Sequence, residues 1–193
     1  MAATDGWLSG RTMAAMVGGA AVALVASRVL PPLLAQLAGT ARAALGRDPF
    51  AGLIADHRDF LSLLERMERT EARGRPVFQR TQLLVRLKRG LAAHAMAEED
   101  VVYPLLHDEA KAEHDAMHLY GEHADMKMHL YWLEQMPKDH PQWVARVREL
   151  RRLIEEHARQ EEEVEFPRLR ALMDERAGRR VSGQVQREKA LLL

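Results

Sequence analysis

The chain of 193 residues contains no cysteine, and this absence removes several classes of protein at once. Disulfide scaffolds, thiol enzymes, cysteine-ligated zinc sites and iron–sulfur clusters all need cysteine sulfur. Aromatic residues are also scarce, at 5% of the chain, whereas there are nine histidines. Any metal ion bound by this chain must therefore be held by nitrogen and oxygen atoms.

The chain also lacks an excess of charge of either sign, because 28 basic residues are balanced by 28 acidic ones. Nucleic-acid-binding domains are usually strongly basic, so we expect no nucleic-acid partner. The charge is unevenly distributed: residues 1–47 hold four arginines and one aspartate, while all nine histidines lie in residues 48–193. This change in composition predicts a domain boundary close to residue 47.

The N-terminal part has no apolar run as long as the about 20 residues that a membrane span needs. Residues 13–26 form an uncharged apolar run that is shorter than this. We interpret residues 1–47 as an apolar helical arm that acts as a membrane anchor, an oligomerisation segment or a cleaved signal peptide. Its contact with a membrane or a second copy of the chain would run through residues 8–45.

An anchor would place the following domain on the cytoplasmic face of a membrane, because three of the four arginines of the arm, Arg28, Arg42 and Arg47, come after its apolar run. The alternative is a soluble cytoplasmic protein.

From residue 49 onward no strand pattern is present, and apolar residues recur every three or four positions, which indicates amphipathic helices. A break at residues 74–76 and helix starts near residues 77, 111 and 139 divide this region into four helices. Long helices with short connections predict an all-α, up-down-up-down four-helix bundle over residues 48–173. Residues 174–193 are predicted to form a basic polar C-terminal tail.

Two segments of this region carry a histidine and a glutamate four residues apart, followed by an aromatic residue and a proline. They read HAMAEEDVVYP at residues 94–104 and HARQEEEVEFP at residues 157–167, with six of eleven positions identical. Before each segment, an acidic residue precedes a histidine, at Asp56-His57 and at Glu122-His123. The region is therefore interpreted as a tandem duplication.

A histidine and a carboxylate four residues apart lie on one helix face, so both can reach one metal ion. With helices antiparallel and a rise of about 1.5 Å per residue, the ligands of both halves fall at a similar height of the bundle. Six side chains are predicted to converge there: His57, His94, Glu98, His123, His157 and Glu161. Six ligands would saturate one octahedral ion, whereas two ions bridged by the glutamates keep open positions. The spacing therefore favours a di-metal site.

The doubled pattern, DH…HxxxEExxxYP and EH…HxxxEExxxFP, resembles the hemerythrin HHE cation-binding domain over residues 48–173. The resemblance implies a four-helix bundle that holds a carboxylate-bridged, non-haem centre of two iron ions, with the same six side chains as ligands. Oxygen-carrying hemerythrins have a fifth histidine, from an HxxxH pair on the third helix. Four residues after His123 stands Lys127 and four before it stands Leu119, so that ligand is missing here. The pair His114-x-x-x-His118 has the right spacing but lies nearer the loop.

The predicted function is binding of iron and of a small diatomic ligand, O2 or NO, for sensing, storage or iron handling. A di-iron redox enzyme and a metal-free helical interaction module are the alternatives, and no catalytic residue is assigned. We interpret the remaining histidines as structural or solvent-exposed. Glu99 and Glu162 are either solvated or hold a ligand histidine in place, and Tyr103 and Phe166 are interpreted as core residues.

Overall fold

A computed structural model describes residues 48–71, 74 and 76–192 of the chain. The predicted N-terminal arm, residues 1–47, lies outside these residues, so its roles as an anchor, interface or signal stay predictions. None of the helices in the described part is both long and apolar enough to cross a membrane.

The described residues form helices joined by short connections, and they contain no strand, which confirms the all-α prediction. Two π-helical turns, Glu98–Val102 (the first π-turn) and Glu161–Glu165 (the second π-turn), each connect two α-helices into one continuous rod. The α-helices are α1 (Ala51–Glu68), α2 (Val77–Ala97), α3 (Tyr103–Asp108), α4 (Glu113–Gln135), α5 (Trp143–Gln160), α6 (Phe166–Leu172) and α7 (Glu175–Leu192).

Neighbouring rods run antiparallel, as the pairs of residues in contact show. Glu68 at the end of α1 pairs with Arg151 in α5, whereas His57 near the start of α1 pairs with Glu162 beyond α5. Contacts between the other neighbouring rods show the same opposite order. For α1 and the α2 rod they are Asp56–His94 and Thr70–Arg80. For the α2 rod and α4 they are Glu99–Lys127 and Lys88–Glu134, and for α4 and the α5 rod they are Asp115–Arg168 and Glu122–His157.

The interior consists of two apolar cores, and each of the four long rods passes from one core to the other. In α1 the first core contains Phe60 and Leu64, and the second contains Leu53; His57 lies between them. In the rod built on α2, Leu91 belongs to the first core. The second core resumes at Ala97, so His94 is likewise between them. Polar side chains are therefore enclosed in the middle of the molecule with apolar packing on both sides.

The connection between α1 and α2 occurs where the sequence predicts a break. Gly74 adopts a left-handed backbone with φ of 72°, a conformation that glycine accepts without a steric penalty. Arg80 at the start of α2 is buried, donates to the Thr70 hydroxyl at 2.7 Å and lies 4.8 Å from the Trp143 ring. This arginine therefore connects the end of α1 with the start of α5 at this end of the bundle.

Residues 175–192 form a helix rather than the polar tail that the sequence analysis describes. Gly178, Val181 and Val185 are three or four positions apart, and all three are buried. Arginines and other polar residues fill the positions between them, so the helix is amphipathic although its composition is polar. Helix α7 packs on α2 and extends the second core.

Candidate metal centre

All six predicted ligands lie in the middle of the molecule, between the two cores, and all are buried. None has more than 2% of its surface exposed to solvent: His57, His94, Glu98, His123, His157 and Glu161. Charged or polar side chains are rarely buried this completely unless they are paired or bind a metal ion. Their shared burial therefore needs a reason beyond packing.

The four histidines form two pairs of adjacent imidazole rings. The Nε2 atoms of His57 and His94 are 3.1 Å apart, and the ring centroids of His123 and His157 are 4.8 Å apart. Glu161 Oε2 lies between the pairs, 3.3 Å from His57 Nε2 and 3.5 Å from His157 Nε2.

Glu98 makes the matching contacts on the other side of the cluster. Its Oε2 atom is 3.0 Å from His94 Nε2 and 3.4 Å from His123 Nε2, so it also touches one histidine of each pair. Five of the six side chains offer ligand atoms that all lie within 4.8 Å of one another, and His123 joins this group through Glu98. The structure thus brings together every side chain that the sequence analysis assigns to the site.

Each histidine turns its Nδ1 atom outward to a carboxylate. His57 Nδ1 is 2.9 Å from Glu162, and His123 Nδ1 is 2.9 Å from Glu99. The other two pairs are His94 with Asp56 at 3.2 Å and His157 with Glu122 at 2.8 Å. A carboxylate that accepts the Nδ1 proton leaves the Nε2 lone pair free for a metal ion, a common arrangement at metal sites.

This outer set follows the duplication in the sequence. Glu99 and Glu162 occupy equivalent positions of the two repeats, and each holds a histidine of the other half. Asp56 and Glu122 are also equivalent, and each holds the histidine of its own half. The sequence offers this role for Glu99 and Glu162 but predicts none for Glu122. Its position directly before His123, like Asp56 before His57, was the available signal.

We expect loss of an outer carboxylate to weaken metal binding without unfolding the protein. Glu162→Gln keeps the size of the side chain but removes the charge that orients His57. The expected loss of metal affinity is about 10–100-fold, measured by competition with a coloured chelator. Glu163→Gln is the matched control, because Glu163 is exposed and has no partner among the described residues. Equal losses in both variants would contradict this role for Glu162.

Tyr103 lies in the second core, as the sequence predicts, and its hydroxyl also belongs to the cluster. Its hydroxyl donates to Glu161 Oε1 at 3.1 Å and lies 3.0 Å from His123 Nε2. The equivalent residue of the second repeat, Phe166, has no hydroxyl and instead stacks on Phe50, with ring centroids 4.6 Å apart. The two halves of the centre are therefore chemically different, with an additional oxygen on the His123 side.

The two π-turns begin at the ligand glutamates. In the first, the Tyr103 N–H donates to the carbonyl of Glu98, five residues earlier; in the second, Phe166 does the same with Glu161. A proline follows each aromatic residue and cannot donate a backbone hydrogen bond, which favours a local change of helix geometry. Single π-helical turns occur frequently at functional sites. Here the extra residue places glutamate and tyrosine on the same inward face.

The electrostatic field inside the cluster is negative. Burial by itself would lower the pKa of His94, but the charge of Glu98 and hydrogen bonds to Asp56 and Glu98 outweigh it and raise that pKa to about 10. Burial acts in the same direction on His123, yet hydrogen bonds to Glu98 and Glu99 raise its pKa to about 9. A site that binds protons this tightly also favours a metal cation.

Several fully buried polar atoms of the cluster lie within ion-pair distance of one another but make no well-directed hydrogen bond. They are both carboxylate oxygens of Glu98, Oε2 of Glu161 and Nε2 of His157. An unpartnered buried charge costs several kcal/mol, on the order of 3–5 when a partner is removed. Because these atoms are carboxylate oxygens and imidazole nitrogens aimed at one another, a metal ion would satisfy them all. The residues present therefore fit a metal centre.

A cavity of about 280 Å³ leads from the histidines toward the surface between α2 and α4. Its walls are mostly apolar side chains, including Phe60, Leu91, Met126 and Ile154. Lys127, which stands where a fifth histidine was sought, also lines the cavity and pairs with Glu99 at 2.6 Å. The cavity gives a small molecule a path to the cluster.

The other five histidines lie outside the cluster, as the sequence analysis predicts. His107, His114 and His118 expose 52%, 97% and 62% of their side chains. His118 Nε2 lies 3.3 Å from Glu122, which is the same carboxylate that holds His157.

Four histidines and two carboxylates that helical rods enclose around one centre offer the ligand set of a histidine–carboxylate metal site. The chain belongs to the hemerythrin HHE cation binding domain family, whose model matches residues 48–169. The family resemblance found in the sequence is thereby confirmed. No solved structure matches the chain.

One curated relative is a DNA nickase of Nostoc sp. (strain PCC 7120), with 38% identity over 80 residues. The match covers 42% of this chain, which spans only 22% of that relative. The expectation that the chain has no nucleic-acid partner is wrong in the light of this finding. Net charge is a sum over the whole chain, and a sum of zero says nothing about the local field of one surface.

Proposed function

We propose that this chain is a non-haem di-iron protein of the hemerythrin type, with an up-down-up-down arrangement of its four ligand-bearing rods. The observation that carries the proposal is the pairing of the histidines. His57 with His94 and His123 with His157 offer two separate nitrogen pairs, and Glu98 and Glu161 each contact one histidine of both pairs. Each histidine pair, together with Glu98 and Glu161, would hold one ion, so two ions would use every ligand.

The ligand chemistry supports iron. Imidazole nitrogen and carboxylate oxygen suit iron among other transition metals, and the family resemblance favours iron over the others. Bound iron would supply coordination positions at which a small molecule can bind. The protein side chains hold the ions, orient the histidines through the outer carboxylates and exclude bulk water, since the ligands are almost completely buried.

The proposed ligand is a small diatomic molecule, O2 or NO. Such a molecule has little polarity and partitions readily into the apolar cavity beside the histidines. A large substrate cannot reach ligand atoms that are buried to this degree. Lys127 replaces the additional histidine of oxygen carriers, which favours roles in sensing or iron handling over reversible oxygen transport.

Metal analysis and absorption spectra of the full chain test this function. We expect two irons per chain after loading with ferrous iron without air, and new bands in the near-ultraviolet after oxygen or NO is added. Turnover of peroxide would favour the di-iron redox enzyme instead. Absence of bound metal after loading would contradict the proposal and favour a helical interaction module.

A second candidate function is contact with DNA, and the similarity to a DNA nickase favours it. The buried metal centre is not available to a DNA strand, because its ligands expose at most 2% of their surface. DNA would therefore bind to an outer surface of the domain. Titration of a fluorescent duplex with the full chain tests this candidate, which fails if no salt-sensitive binding is seen.

A further inference from the structure

The outer surface of α1 and α2 contains a groove that α7 leaves open. Helix α7 ends near Asp56, to which Lys189 is ion-paired. Beyond that point lies a groove of about 760 Å³ with basic residues from both helices. Arg66 comes from α1, and Arg86 and Arg89 come from α2, one helical turn apart.

Two of these arginines have no counter-charge of their own. Arg66 and Arg86 are exposed, and neither makes a hydrogen bond or an ion pair with any described residue. Surface arginines elsewhere are often paired, for example Arg148 with Glu71 at 2.7 Å. Two unpaired guanidinium groups beside the same groove leave it with a local positive field.

The two arginines face the same part of the groove. Helices α1 and α2 are antiparallel, and Asp56 contacts His94 while Thr70 contacts Arg80. Arg66 is therefore about level with Arg86, on the opposite wall. Polar side chains that can donate to an oxygen lie nearby: Ser62 and Gln82.

Two acidic residues also line the groove, and they lie toward its other end. Asp56 is held by Lys189 and by His94, so its charge is compensated. Asp59 is exposed on α1, two turns before Arg66. The acidic end and the basic end are thus separate, and an anion would bind at the basic end.

We propose that this groove binds the phosphodiester backbone of DNA, with Arg66 and Arg86 each contacting a phosphate. This inference rests on the second candidate function above and locates its surface. Exposed arginines on two walls of an open groove suit a long polyanion, whose phosphates stay partly hydrated. Arginine is well suited to phosphate because its planar group can donate two parallel hydrogen bonds.

The test compares the full chain with Arg66→Ala/Arg86→Ala, using a fluorescein-labelled duplex and anisotropy at several salt concentrations. The slope of log K against log salt is negative, and each lost phosphate contact reduces its magnitude by about 0.9. The double variant should therefore have a slope that is shallower by about 2. Arg152→Ala/Arg176→Ala is the matched control, because it removes from other surfaces two exposed arginines that make no hydrogen bond or ion pair with any described residue. The control should keep the slope of the unaltered chain.

Metal content measured on the same samples separates a folding defect from a lost contact, and it should be equal in all variants. If both double variants lose the same slope, or if the groove variant binds as tightly as the unaltered chain, the groove is not the DNA surface although the chain still binds DNA. If the unaltered chain does not bind DNA at all, both the groove and the second candidate function are rejected. Displacement of the duplex by millimolar inorganic phosphate at constant ionic strength would show a small-anion site and overturn the proposal.

Discussion

Replacing His94 or His157 with alanine should remove most of the metal from the purified protein. Each variant deletes one nitrogen ligand and removes one partner of a partly buried carboxylate. Asp56 keeps its ion pair with Lys189 in the first case, and Glu122 keeps its contact with His118 in the second. The loss of affinity should exceed the about 10–100-fold that follows from losing an outer-shell residue. Iron per chain after gel filtration, measured by mass spectrometry, gives the result directly.

His107→Ala provides the control for these variants. His107 is half exposed and pairs only with its neighbour Asp108 among the described residues, so its loss should leave the iron content unchanged. Circular dichroism of each variant shows whether the helices remain. If all three variants bind as much iron as the unaltered chain, the cluster is not the metal site.

The sequence predicts the helices well because their signals are local. The start of α2 at Val77 and the break before it follow from apolar spacing and from Gly74 and Pro76. The predicted start of α5 is less accurate, because residue 139 lies in a turn and the helix begins at Trp143. In that turn the Gln142 N–H donates to His140 Nδ1, so local hydrogen bonds compete with the expected cap.

The ligand histidines were predictable because the duplication repeats their spacing, whereas their surroundings depend on rotation of the helices. Tyr103 and Phe166 occupy equivalent positions of the repeats, and the contact of the tyrosine hydroxyl with Glu161 on another rod depends on how the helices face each other. Glu122 contacts His157, which is 35 residues away. Such a contact depends on which faces of α4 and α5 meet, and no local pattern encodes it.

The sequence predicts neither the C-terminal helix nor the basic groove, and the reason is the same in both cases. Composition and charge were summed over a whole segment or over the whole chain. Val181 and Val185 bury one stripe of α7 although its other faces are rich in arginine. Arg66 and Arg86 likewise line one groove, while acidic residues elsewhere cancel their charge in the net charge of the chain. The net charge of a chain bears on its solubility, whereas binding depends on the charges that lie on one surface.

Raising the pH should destabilise the metal-free protein and strengthen metal binding. In the metal-free state the pKa of His94 is about 10 and that of His123 about 9, both above the value of about 6.5 for an unfolded histidine. A raised pKa in the folded state stabilises it fully below pH 6.5, and this stabilisation is lost as the pH rises through 9 and 10. Without metal, the melting temperature should therefore fall across this range.

Stabilisation by a bound metal ion has the opposite pH dependence, because each ligand histidine must be deprotonated before it can coordinate. At pH 7 a metal ion must displace the protons of His94 and His123, and at pH 9 to 10 this competition is much weaker. The difference in melting temperature between iron-loaded and metal-free protein should therefore widen from pH 6.5 to pH 9. A ligand present at 100 times its dissociation constant adds about 2.7 kcal/mol to stability, which is ample for detection.

Melting curves of the full chain, recorded with bound metal and with a chelator between pH 6 and 10, measure both effects. His94→Ala should weaken the pH dependence of the metal-free form, because it removes the histidine with the higher of the two pKa values. If the gap between the two forms is constant or narrows as the pH rises, protons and metal do not compete for these nitrogens. If a chelator leaves every melting temperature unchanged, no metal is bound at the cluster, and its buried carboxylates are stabilised by protonated histidines alone.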